Sequence, residues 1–158
     1  MILIRLSVLL LTAAVTLVAA EPTFTLDLKL VDGGGDKPMI VIWAEKADGT
    51  FLRTLHMYSK DKKYFKDMTT WTTARGAKED AKAVDAVVGP TIAWGKSGEA
   101  VKIPAKDLLA GNIVLRIEQR KDKGGSYTKR KIAVTPDWPG VTLEKDGYIQ
   151  SLIIKVER

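Results

Sequence analysis

From Thr23 to Val31 the chain reads Thr-Phe-Thr-Leu-Asp-Leu-Lys-Leu-Val, with an apolar residue at every second position up to Leu30. Successive side chains of a strand point to opposite faces. Phe24, Leu26, Leu28 and Leu30 therefore share one face, and Thr25, Asp27 and Lys29 the other. That period specifies a half-buried β-strand. The glycine-rich turn Asp32-Gly33-Gly34-Gly35-Asp36 ends it. A glycine triplet cradles phosphate only where a helix N-terminus follows. Here Pro38 and a further apolar run follow, so the segment reads as a loop.

The rest of the chain continues in the same manner. Met39 to Ala44 is a short, continuously apolar strand, and Ala47-Asp48-Gly49-Thr50 is a hairpin signal. Phe51 to Tyr58 returns as the next strand. Lys60 to Asp67 reads as a lysine-rich loop or the start of a helix, and Met68 to Ala83 as a short helix or long connection. Thr91 to Trp94, Ile113 to Arg120, Tyr127 to Val134 and Tyr148 to Val156 give four more strands. Lys123-Gly124-Gly125-Ser126 joins two of these as a turn. Helical stretches do not separate the strands, which removes βαβ architectures. The expected fold is all-β: an immunoglobulin-like β-sandwich with a short helical or loop insertion.

The amino terminus has a different character. Arg5 supplies a positive start, Leu6 to Val18 carries no charge, and Val18-Ala19-Ala20 presents small residues. This is the layout of a secretory signal peptide over residues 1–20, cleaved after Ala20. The apolar run is short for a membrane span, and no cysteine follows it to carry a lipid. The expectation is one domain over residues 21–158 in a bacterial periplasm or outside the cell. With no cysteine anywhere, that domain must hold together by packing alone. Removing Arg5 takes the net charge from +6 to +5. Outside the cytoplasm, such a surface meets acidic proteins, polysaccharides or anionic lipids rather than nucleic acid.

Few side chains here suit catalysis. His56 is the sole histidine, and a closed zinc site needs several nitrogen or sulfur ligands. A Ser-His-Asp arrangement would need that same imidazole, and no nucleophile elbow is present. His56, within Leu55-His56-Met57-Tyr58, is expected to be structural or at the surface. Asp32 with Asp36, and Glu45 with Asp48, bracket turns where calcium could bind, although turn aspartates mostly serve the local backbone. No catalytic or metal-binding residue is therefore assigned. Basic residues cluster at Lys60, Lys62, Lys63 and Lys66, and again from Arg120 to Lys131 around Tyr127. Trp43 sits in an apolar strand and is expected in the core. Trp71 and Trp138 fall in irregular segments and are expected to be exposed. With Lys62, Lys63 and Lys66 they form the candidate surface for a protein or membrane-associated partner. Exposed tryptophans would also suit a carbohydrate-binding sandwich.

The run from Met39 to Leu55, with Trp43-Ala44-Glu45, the turn Asp48-Gly49 and Leu52-Arg53-Thr54-Leu55, resembles the bacterial periplasmic family called domain of unknown function 2271. Tyr64, Trp71, Asp85-Ala86-Val87 and the stretch from Trp94 to Glu118 extend the likeness over most of the chain. The resemblance implies a periplasmic immunoglobulin-like sandwich. Members tend to be encoded beside PepSY-type membrane proteins and FAD:protein FMN transferases. An accessory role in an extracytoplasmic redox or membrane-associated system is thus implied. Covalent FMN sites resemble Asp-x-x-Ser/Thr-Gly-Ala-Thr, and Asp85-Ala86-Val87-Val88-Gly89-Pro90-Thr91 keeps the aspartate, glycine and threonine of that motif. It departs at Val88 and Pro90, and the latter fixes its own φ. Thr91, with Gly89 and Asp85, is the alternative cofactor site, for FMN; otherwise no cofactor is expected.

Overall fold

The computed structural model describes residues 20–59, 61–121 and 126–158, with backbone only at 126–129. The expected leader, residues 1–20, lies outside these residues except for Ala20, as do Lys60 and all of the Lys123-to-Ser126 turn but its last residue. Two sheets pack face to face. The first contains β1 (Thr23–Leu30), β5 (Val101–Pro104), β8 (Gly140–Asp146) and β9 (Ile149–Glu157), in the order β5-β1-β9-β8. The second contains β2 (Met39–Lys46), β3 (Phe51–Tyr58), β4 (Val88–Gly89), β6 (Ile113–Arg120) and β7 (Ser126–Val134), in the order β4-β3-β2-β6-β7. Every pairing is antiparallel except β3 with β4. The fold is an all-β sandwich with a small helical insertion.

The alternation in β1 does what its period dictates. Phe24, Leu26, Leu28 and Leu30 are buried in the core between the sheets, together with Ile40, Ile42, Leu115, Ile117, Leu152 and Ile154. The continuous apolar run of β2 has a different cause. Ile40, Ile42 and Ala44 face that core, while Met39, Val41 and Trp43 point to the far side of the second sheet. There the insertion between β3 and β4 covers them with Met68, Trp71 and Val84. Both faces of β2 are thus buried, and neither needs polar residues.

The insertion consists of a 3-10 turn (Lys62–Asp67), α1 (Thr69–Arg75) and α2 (Ala81–Asp85). These helices are too short to stand alone, and sheet side chains anchor them. The Glu118 carboxylate on β6 accepts hydrogen bonds from the backbone N–H groups of Trp71 at 2.8 Å and Thr70 at 3.3 Å. It thereby satisfies orphan donors at the start of α1. Asp80 caps α2 by accepting from the Ala83 N–H at 2.8 Å. The Trp71 indole donates to Thr54 Oγ1 at 2.9 Å. Beside it, the Trp43 indole donates to Glu45 Oε1 at 2.7 Å, and Arg116 pairs with Glu45 Oε2 at 2.9 Å. Glu45 is committed to this buried network rather than to a turn cation site.

Several sequence expectations need correction. Trp71 is 1% exposed and Trp138 8%, so neither presents a contact surface. Trp71 lies in α1 beneath the insertion. Trp138, between β7 and β8, meets Phe24 edge-on at 5.6 Å. Thr91 to Trp94 is not a strand. Its apolar residues pack without a ladder: Ile92 is buried in the core, and Trp94 lies against Gly33 and meets Tyr148 edge-on at 5.8 Å. The following residue, Gly95, turns the chain at φ +68° and donates to the Val31 carbonyl. Strands β4, β5 and β8 were not anticipated. They are edge strands, and the alternation in β5 and β8 runs over few residues.

Candidate functional site

The chain between Pro90 and Ala100 crosses from β4, at the edge of the second sheet, to β5, at the edge of the first. Beneath this crossover a cleft of about 560 Å³ opens between the sheets. Its floor comes from β3. His56 pairs across β2 with Ile42, and Tyr58 with Ile40. Cross-strand partners project to the same face, so both side chains turn inward with the core isoleucines. The walls are Pro90, Ile92, Ala93, Ala100 and Val101, with Thr91, Lys96, Ser97, Glu99 and Lys102 also lining the cleft.

His56 is 7% exposed and Tyr58 2%. Their rings meet edge-on with centroids 4.4 Å apart. His56 Nε2 and the Tyr58 hydroxyl are both buried without a hydrogen-bond partner. Polar atoms taken out of water normally find partners; the other buried side-chain atoms without one are the Nε atoms of Arg53, Arg75 and Arg116, and only His56 and Tyr58 line this cleft. Two glycines bring the walls this close. A methyl group at Gly89 would lie 2.5 Å from His56 Nε2. One at Gly98 would lie 2.7 Å from the Ile92 Cδ1 and 3.3 Å from the Tyr58 ring.

Both groups are held neutral at ordinary pH. Burial lowers the His56 pKa from 6.5 to about 4, because desolvation penalises the charged imidazolium. Burial also raises the Tyr58 phenol well above its usual value, and the negative charge of Asp27 adds to the effect. Around the cleft the charges are mixed. Lys96 and Glu99 line it, and Lys102 is engaged with Glu157 at 2.7 Å. Neither Ser97 nor Glu99 bonds His56 Nε2, which lies against Gly89.

The residues singled out from sequence are dispersed. Asp85 ends α2 and pairs with Lys62 at 2.6 Å. Gly89 is buried and paired beside Tyr58 in β4, so it is not a mobile turn residue. Thr91 stands on the wall of the cleft. Lys62, Lys63 and Lys66 are exposed on the 3-10 turn, and Lys63 pairs with Asp61 at 3.1 Å. Trp71 is packed beneath that turn against Phe65. His56 and Tyr58 were not chosen as site residues from the sequence. The available signal was an imidazole and a phenol two positions apart in a strand whose partners are apolar.

Among the described residues, no group of three or more His, Cys, Asp or Glu gathers as a metal site. No helix among them is long and apolar enough to cross a membrane. No curated protein and no solved structure matches the chain significantly. A family model does, over residues 21–151. With the expected sandwich around the Trp43–Glu45 pair now described, the chain belongs to the family described as predicted periplasmic protein, DUF2271.

Proposed function

We propose that this is a non-catalytic binding protein of the cell envelope, exported by removal of residues 1–20, whose ligand enters the cleft beneath the β4–β5 crossover. One observation carries the reading. Two nine-tenths-buried polar side chains, His56 and Tyr58, border an apolar cavity with their Nε2 and hydroxyl unpaired. An unmade buried hydrogen bond costs about 1–3 kcal/mol, and a chain retains that cost most readily where a ligand relieves it. The volume lies within the usual range of small-molecule sites, about 300–1,000 Å³. In this reading the immunoglobulin-like sandwich is a rigid frame, and the protein serves as an accessory of a redox or membrane-associated system. The exposed Lys62, Lys63 and Lys66 offer its docking face to a protein or membrane component.

The test is mass spectrometry of small molecules released on unfolding protein isolated from the periplasm. A compound enriched with the wild type and lost from the His56→Phe, Tyr58→Phe double variant is expected. Equal recovery from the folded double variant would refute the cleft as the binding site.

A further inference from the structure

Separate from the cleft, we infer a second interaction surface: β7, the outermost strand of the second sheet, receives an extended acidic segment of a partner protein as an added strand. That segment alternates carboxylates with apolar residues.

Charge supplies the first argument. Residues 116–131 carry seven basic side chains and two carboxylates, a net +5, and the rest of the chain after Arg5 sums to zero. The register places that excess. Arg116 stands opposite both Trp43 and Lys131, and Arg120 opposite Met39. Opposed residues share a face, so Arg116, Arg120 and Lys131 lie on the far face of the sheet with Met39 and Trp43. The insertion covers those two, whereas Lys131 and Ala133 on β7 are exposed. Glu45 neutralises Arg116 at 2.9 Å, and the buried Glu118 carboxylate serves α1. Among the described residues no ion pair holds Arg120 or Lys131. Like charges on neighbouring strands are a cost, and an anionic partner relieves it.

The backbone supplies the second. β7 ends its sheet, so along one side its N–H and C=O groups meet no further strand among the described residues. The basic side chains repel the same strand of a second copy, and the same charge attracts an acidic one. Ile132 and Val134 face the core, while Lys131 and Ala133 alternate with them on the far face. A strand laid beside β7 inherits that two-residue period. Its apolar residues sit beside Ile132 and Val134, and its carboxylates beside Lys131. A lipid surface suits this strand less well. Among the described residues the exposed large apolar side chain is Leu52 on β3, so β7 offers a bilayer charge without an apolar anchor.

The experiment is an amide-resolved NMR titration of the isotopically labelled protein with two capped peptides, Glu-Val-Glu-Val-Glu-Val-Glu and Glu-Glu-Glu-Glu-Val-Val-Val. They share composition and charge, and only the first alternates. The alternating peptide should move the amides of Lys131, Ile132 and Ala133 and slow their hydrogen exchange, leaving the cleft amides in place. The block peptide should bind at least about fivefold more weakly. Lys131→Glu puts a carboxylate opposite Arg116, which the sheet tolerates, and should weaken the alternating peptide about fivefold or more. Equal affinity for the two peptides would overturn the added strand, since charge alone would then account for binding. Undiminished affinity in Lys131→Glu would overturn the assigned charge contact. Phosphatidylglycerol vesicles that shift the β7 amides where the peptides do not would overturn the protein partner in favour of a membrane. Amides of β7 unmoved by millimolar alternating peptide would end the inference and leave the cleft reading untouched.

Discussion

Replacing His56 by glutamine should flatten the acid sensitivity of this fold. The side chain is the only imidazole in the protein, and burial lowers its pKa from 6.5 to about 4. In the unfolded chain the imidazole takes up a proton as pH falls through 6.5; in the folded chain it does so only near 4. Between those values the unfolded state binds more protons, so stability rises with pH and is lost on acidification. The contribution of the neutral imidazole is present above 6.5 and is lost as pH drops towards 4. Integrating the two titrations from pH 7 to pH 5 gives a loss of about 2 kcal/mol. Glu118 works in the opposite sense. Burial raises its pKa above 4.5, so on acidification the folded state takes up that proton first. The wild-type curve alone therefore mixes terms, and the difference between wild type and His56→Gln isolates the imidazole. The charged neighbours Lys96, Glu99, Lys102 and Asp27 are common to both proteins. Urea unfolding followed by tryptophan fluorescence at pH 7, 6 and 5 supplies the free energies. Parallel pH profiles for the two proteins, or an NMR titration placing His56 near 6.5 in the folded state, would refute the reasoning.

Gly89→Ala should destabilise by about 1–3 kcal/mol through overpacking against His56, and most of that loss should vanish in the His56→Ala background when the two are compared by denaturant unfolding. Glu118→Ala should cost about 2 kcal/mol, since it strips the acceptor from the first turn of α1; hydrogen exchange at the Thr70 and Trp71 amides should accelerate before that of β2. Glu45→Ala leaves the Arg116 guanidinium half-buried over Trp43, with centroid separation 5.5 Å, and should lower stability by about 3 kcal/mol in the same unfolding assay.

The strands were legible where packing forced a local period. β1 alternates because one of its faces is core, and Ile113 to Arg120 is a strand with the bounds its pattern suggests. β2 was legible as a strand, but its double-sided burial gave no hint of the insertion that covers it. Trp71 was misplaced for the same reason. An aromatic in a segment without clean periodicity looks exposed, yet it is the side chain that fills the gap between short helices and a sheet. Trp138 sits in a connection and still closes the core against Phe24. Thr91 to Trp94 shows the converse error: apolar composition gave it the look of a strand, while its Ala93 carbonyl accepts from the Lys96 N–H and closes a turn.

The cleft was the least legible part, because it exists through topology rather than through any local motif. A strand of two residues, β4, covers only Met57 and Tyr58 of β3. The chain then leaves that sheet and reaches the other at β5, and the slot lies beneath the crossing. His56 and Tyr58 acquire their meaning from the inward direction of Ile42 and Ile40 across the ladder, which a reading of residues 51–58 alone does not reveal. A polar side chain on the apolar face of a strand is a stability penalty unless something at that depth answers it. Here two such side chains occur in consecutive inward positions, and both border the same opening. A single unsatisfied atom could be an accident of packing. Two in side chains that line one cleft, closed down by glycines at 89 and 98, follow more simply from a site shaped to receive a ligand.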